Sequence, residues 1–148
     1  MSWRGKSSMG ALFLGLVALV AAAAVACGGH QVPPGARLAI DGDSFDLGSV
    51  ATGQSVRRSI EFRNTGVAPL EVSIVKVRPA PNAECGCGVE SFEVAPTAVQ
   101  PGDSGEMVFR LKVPEGMEGM TDKMLAQLES NDPTKPKLTI TLIFEMGR

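Results

Sequence analysis

The stretch Ser55 to Val77, SVRRSIEFRNTGVAPLEVSIVKV, constrains the fold of this chain more than any other. Side chains alternate across a strand, so Val56, Arg58, Ile60 and Phe62 share one face while Arg57, Ser59, Glu61 and Arg63 share the other. One face is largely apolar and the other wet. Asn64-Thr65-Gly66 then stops the run with residues that tolerate positive φ or bond their own backbone. A second run alternates through Leu70, Val72 and Ile74 and changes phase at Val75 and Val77, which predicts a β-bulge or burial on both faces. Two such runs around a turn are expected to supply the centre of a sheet, with the later strands stacked on the pair.

The rest of the chain repeats the pattern. Arg37–Ile40 opens the folded part, and Ser44–Gly48 reads as a short edge strand. Phe92–Val94 is a short strand; Met107, Phe109, Leu111 and Val113 then alternate with Val108, Arg110 and Lys112. In Lys123–Ser130, Met124, Ala126 and Leu128 share a face. Pro136 delays the last strand to about Lys137, because proline cannot donate to a ladder, and Leu138, Ile140, Leu142 and Phe144 then point inward. About seven short strands separated by turn signals, with no helical period, predict an all-β antiparallel sandwich. The only Trp is Trp3 and there is no Tyr, so the buried Trp and tyrosine corner of antibody domains are excluded.

The N-terminus is of another kind. Arg4 and Lys6 precede an uncharged apolar run, ALFLGLVALVAAAAVA, that ends in Ala24-Val25-Ala26 before Cys27. A basic start, an apolar middle and small residues at the exit have the layout of a secretory signal. An uncleaved membrane anchor is the alternative, although the Ala-rich second half is weakly hydrophobic for that role. The segment resembles a bacterial lipoprotein signal, in which the residue after the cut is a Cys that receives a diacylglyceryl group. Ala24-Val25-Ala26 also satisfies the ordinary Ala-x-Ala rule, leaving a soluble secreted or periplasmic protein as the second reading.

Three Cys in an exported chain leave one unpaired, and lipidating Cys27 leaves the pair Cys85 and Cys87. Acyl chains contribute about 0.8 kcal/mol per buried methylene, so two or three of them would tether the protein to a bilayer. Gly28 after Cys27 matches lipoproteins sorted to an outer membrane. The expected organisation is therefore a signal over 1–26, a Gly- and Pro-rich linker over 27–36 and one domain over 37–148. His30, the only histidine, falls in that linker. Without Arg4 and Lys6 the net charge moves from −2 to −4, so no basic surface for nucleic acid is expected.

From Phe45 onward a set of motifs runs through the folded part. Phe45-Asp46-Leu47-Gly48-Ser49-Val50 comes first, with Gly53, followed by Phe62-Arg63-Asn64-Thr65-Gly66 with Pro69-Leu70. Cys85-Gly86-Cys87, Pro101-Gly102 and Ser130-Asn131-Asp132-Pro133 complete it. In these residues the chain resembles the bacterial domain-of-unknown-function family DUF1573, immunoglobulin-like sandwiches related to the abnormal-spindle, major-sperm-protein and hydin group. The resemblance implies the fold and a place in the cell envelope, and implies no reaction. The family often carries Thr after its Cys-Gly-Cys, where this chain has Gly88.

Cys85 and Cys87 are the sharpest chemical feature. A disulfide between them needs the tight bend that Gly86 allows, and so small a loop is a poor staple, contributing about 1.5 kcal/mol by chain entropy. A local structural pair, thiol-redox activity and soft-metal binding all remain open. Glu84 disfavours a thiolate beside it, and no Lys, Arg or His lies close in sequence to favour one. Met117 and Met120 are weak additional candidates, since thioethers with thiolates suit Cu(I). With His30 in the linker, no folded histidine can serve a Ser or Cys nucleophile, and no phosphate loop is present. No catalytic residues and no cofactor are expected. The function expected is that of a non-catalytic interaction or structural module, membrane-tethered through Cys27 and partnered by another envelope protein, with copper binding or thiol-redox work at Cys85 and Cys87 as the alternative.

Overall fold

The computed structural model of the protein describes residues 34–147, and among these described residues nine strands and no helix form. The apolar N-terminal run, Cys27 and His30 lie outside the described residues. One sheet has the order β1 (Leu38–Ala39), β3 (Ser55–Asn64), β7 (Ser104–Lys112), β5 (Val89–Ala95). The other has the order β2 (Ser44–Ala51), β9 (Lys137–Gly147), β8 (Thr121–Ser130), β4 (Leu70–Pro79), β6 (Ala98–Val99). β1 and β6 are bridges of 2 residues each, and the other strands are the seven that alternation can reveal. The result is an immunoglobulin-like β-sandwich.

Alternation carries the core. Ile60 and Phe62 of β3, Met107, Phe109 and Leu111 of β7, and Ile140, Leu142, Phe144 and Met146 of β9 all turn inward and are buried. Each such side chain contributes about 1.5–3 kcal/mol by leaving water. The phase change in β4 is a bulge: Ile74 faces Leu128 and Lys76 faces Gln127, so Val75 is the extra residue.

One expectation fails. β3 and β4 do not pair as the centre of one sheet; they lie in opposite sheets, with their apolar faces meeting across the core. The link between them is a crossover built around the buried Asn64, whose amide donates to the carbonyls of Ala68 (2.8 Å) and Val99 (2.9 Å). Its Oδ1 accepts from the Gly66 N–H at 2.9 Å. Every strand pair is antiparallel except β2 with β9, which run parallel from Ser44↔Thr141 to Ala51↔Gly147. The β2 register slips between Asp46 and Ser49, and Arg58 reaches across from β3 to that slip. Its Nε donates to the Leu47 carbonyl (2.8 Å) and its Nη2 to that of Ser49 (3.2 Å). That explains an arginine on the apolar side of β3.

Candidate functional site

The loop between β4 and β5 holds Cys85 and Cys87, and three backbone groups fix its path. Ala80 N–H donates to the Lys123 carbonyl (2.9 Å), Thr121 N–H to Glu84 Oε2 (2.9 Å), and Lys112 N–H to the Gly88 carbonyl (2.8 Å). Within that frame Gly86 adopts φ +67° and draws the cysteine Cα atoms to 5.2 Å, joined as a disulfide. A straight strand would hold them about 6.6 Å apart. Gly88 has φ +109°, and a Cβ there would stand 2.7 Å from Phe144 Cζ. The Thr that the resembling family often carries has no room at this position.

The loop closes over Asp122, which is 0% exposed. Its Oδ1 accepts from Gly86 N–H (3.3 Å) and its Oδ2 from Cys87 N–H (3.2 Å). The two Sγ atoms and a carboxylate oxygen lie within 4.8 Å of one another. Among the described residues no ion pair joins Asp122 to a Lys or Arg. Sequence reasoning missed this residue, although a signal existed: Asp122 is in phase with the inward positions Met124, Ala126 and Leu128 of β8. An acid at a core position of an alternating strand calls for a reason.

Met117 and Met120 sit on the loop that leads into β8. Met117 is half-buried against the core, and Met120 is exposed, its carbonyl accepting from Met146 N–H at 2.8 Å.

Asp132 is the other buried acid, and it is a clamp. Its carboxylate accepts from Leu38 N–H (2.8 Å) and from the N–H and hydroxyl of Thr134 (2.7 Å each), with Arg37 at 3.6 Å. Burial pushes its pKa up, but the bonds from Leu38 and Thr134 and the charge of Arg37 outweigh that, leaving it below the ordinary carboxylate value. Beside it, Asn131 accepts from Glu71 N–H (2.9 Å) and donates to the Pro69 carbonyl (3.0 Å).

The two sides of the sandwich differ. On the β2 side, Arg58 ties the sheets together. On the other, β6 covers only Leu70 and Glu71 of β4, and β5 is a sheet edge. Two large apolar side chains are exposed there, Val75 at 55% and Phe92 at 39%.

A family model described as "Protein of unknown function (DUF1573)" matches residues 38–143. No curated protein matches the chain. Among solved structures, a protein of unknown function from Porphyromonas gingivalis W83 is similar in fold, with a TM-score of 0.55 and 20% identity. That likeness covers 78% of this chain and 49% of the other, so this chain spans about half the length of that relative. PapD-like domain 7 of human CEP192 gives a TM-score of 0.48 at 16% identity, covering 77% of this chain and 87% of that domain. The E. coli chaperone DraB gives 0.47 at 10% identity, covering 76% and 56%.

Proposed function

The chain belongs to the DUF1573 family, and from that premise we propose that it is an exported, lipid-anchored immunoglobulin-like module of the cell envelope that holds a protein partner and catalyses no reaction. Arg4 and Lys6, the apolar run behind them and the small residues before Cys27 support export and lipidation. The Gly- and Pro-rich sequence after Cys27 supports a spacer between lipid and domain. Both buried acids, Asp122 and Asp132, are engaged by backbone N–H groups, which speaks for structural service rather than acid–base work.

The observation that carries the reading is the open side of the sandwich. Among the described residues, β4 beyond Glu71 has a strand partner on one side only, and β5 has one only in β7. Unpaired backbone groups of that kind accept an extended segment of another protein, with ladder bonds giving affinity and alternate side chains giving selectivity. Val75 and Phe92 supply apolar contacts beside those edges. Lys76, Arg78, Glu90 and Glu93 are exposed along them and discourage two copies from pairing edge to edge.

A photo-crosslinking residue placed at Val75 or Phe92 in living cells is expected to trap a discrete envelope protein. The same residue at Val67, 73% exposed in the β3–β4 crossover, should not. Identical adducts from all three positions would remove the edge from the reading. The intact mass of membrane-extracted chain is expected to carry an acyl addition at Cys27; an unmodified N-terminus there would make it a free periplasmic protein.

A further inference from the structure

We propose that Cys85, Cys87 and Asp122, once the disulfide is reduced, bind one divalent cation of the zinc class, with a fourth coordination position left to water. The buried Asp122 carboxylate stands against the pair: the sulfurs are joined as a disulfide, and a carboxylate oxygen lies within 4.8 Å of both. Donors that share a tetrahedral zinc with bonds of about 2.3 Å to sulfur and about 2.1 Å to oxygen stand roughly 3.5–3.8 Å apart. After reduction the sulfurs part by about 1.7 Å, from a bonded spacing of about 2.05 Å, and the carboxylate oxygen closes in by about an ångström at most. Among the described residues the loop's bonds to Asp122 come from the Gly86 and Cys87 amides. Those two bonds use two of the roughly four lone-pair positions of a carboxylate, so the group retains capacity to ligate.

Charge distinguishes this role from thiol exchange. A reactive thiolate needs a positive neighbour, whereas the groups around this pair are acids: Asp122 beneath it and Glu84 beside it, held by the Thr121 amide. Two thiolates and a carboxylate add up to three negative charges, and no described Lys or Arg pairs with Asp122. A divalent cation supplies the missing charge. The carboxylate also selects the class, because Cu(I) favours sulfur donors alone, while zinc accepts sulfur and oxygen together.

The step balances through an external dithiol. It delivers two electrons and two protons to the Cys85–Cys87 bond and becomes a disulfide itself; the S–S bond breaks and two thiols form. Zinc then displaces both thiol protons to solvent as two Zn–S bonds form. Reoxidation of the pair by a disulfide reverses the sequence and releases the ion, so disulfide and metal are mutually exclusive states of one loop.

Titration of the full-length chain in detergent with Cd2+ tests this, read by the ultraviolet sulfur-to-cadmium band. After reduction by a water-soluble phosphine, wild type is expected to saturate at one ion per chain. The oxidised chain and a Cys85→Ser, Cys87→Ser variant should show no band. Asp122→Asn should bind at least about tenfold more weakly, in the range by which metal-site support residues act. Should that variant fail to fold, difference infrared spectra of reduced wild type on adding Zn2+ decide the point, since a ligating carboxylate shifts its stretch. No saturable band from reduced wild type, equal affinity in folded Asp122→Asn, or an unchanged carboxylate stretch each overturns the assignment.

Discussion

Asn64 and Asp132 show how much one buried polar side chain can organise. Each gathers backbone groups that no strand satisfies, and Asp132 takes the Leu38 amide from 94 residues away. Because hydrogen bonds and Arg37 hold the Asp132 carboxyl below its ordinary value, the folded state favours the ionised form. Its contribution is therefore fully present above the unfolded pKa of about 3.9 and is lost as pH falls through the depressed folded value. Asp132→Asn is expected to lower stability near neutrality by about 1–3 kcal/mol, with a flatter decline below about pH 4. Denaturant midpoints measured across that range check it, and parallel curves for the two proteins would contradict it. In the sequence both residues read as turn formers, because turn chemistry is local whereas the amide each one meets depends on distant chain. Asp122 was legible in principle through its phase on β8, yet its partners in the Cys-Gly-Cys loop were not, since nothing local joins residues 36 positions apart.

Strands were the most readable level. The inward sets of β3, β7, β8 and β9 follow directly from alternation, and the β4 bulge showed as a broken phase at Val75. Pairing was less readable, because a link such as Thr65–Pro69 can close a hairpin or cross the core with the same turn residues. The Asn64 bonds, with those of the Thr65 and Val67 amides to the Arg37 and Gly35 carbonyls, hold it as a crossover. Arg58 belongs to this level too, since it serves β2 rather than its own strand. Arg58→Met keeps the apolar stem and removes both bonds to the Leu47 and Ser49 carbonyls. The expected cost is about 1–2 kcal/mol, these being charge-assisted bonds at a partly exposed site. Hydrogen exchange should show β2 amides losing more protection than those of β8; a uniform loss across both sheets would mean that Arg58 supports the whole core instead.

At the scale of the molecule, β9 is the strand on which the second sheet depends. It lies between β2 and β8 and brings Ile140, Leu142, Phe144 and Met146 into the core. A chain ending before Lys137 is expected to show no cooperative unfolding transition, because among the described residues β2 loses its only strand partner and β8 one of two. Calorimetry of that truncation checks it, and a sharp transition would place the stability in the first sheet alone. Pairing between strands so far apart in sequence also belongs to the slower range of folding, milliseconds to seconds.

The parallel joining of β2 to β9 has a consequence for delivery. Under the export proposed above, a thread that crosses a membrane N-terminus first must leave β2 waiting for β9. Until Lys137–Gly147 clears the channel, the emerging chain offers proteases and holding chaperones an open target.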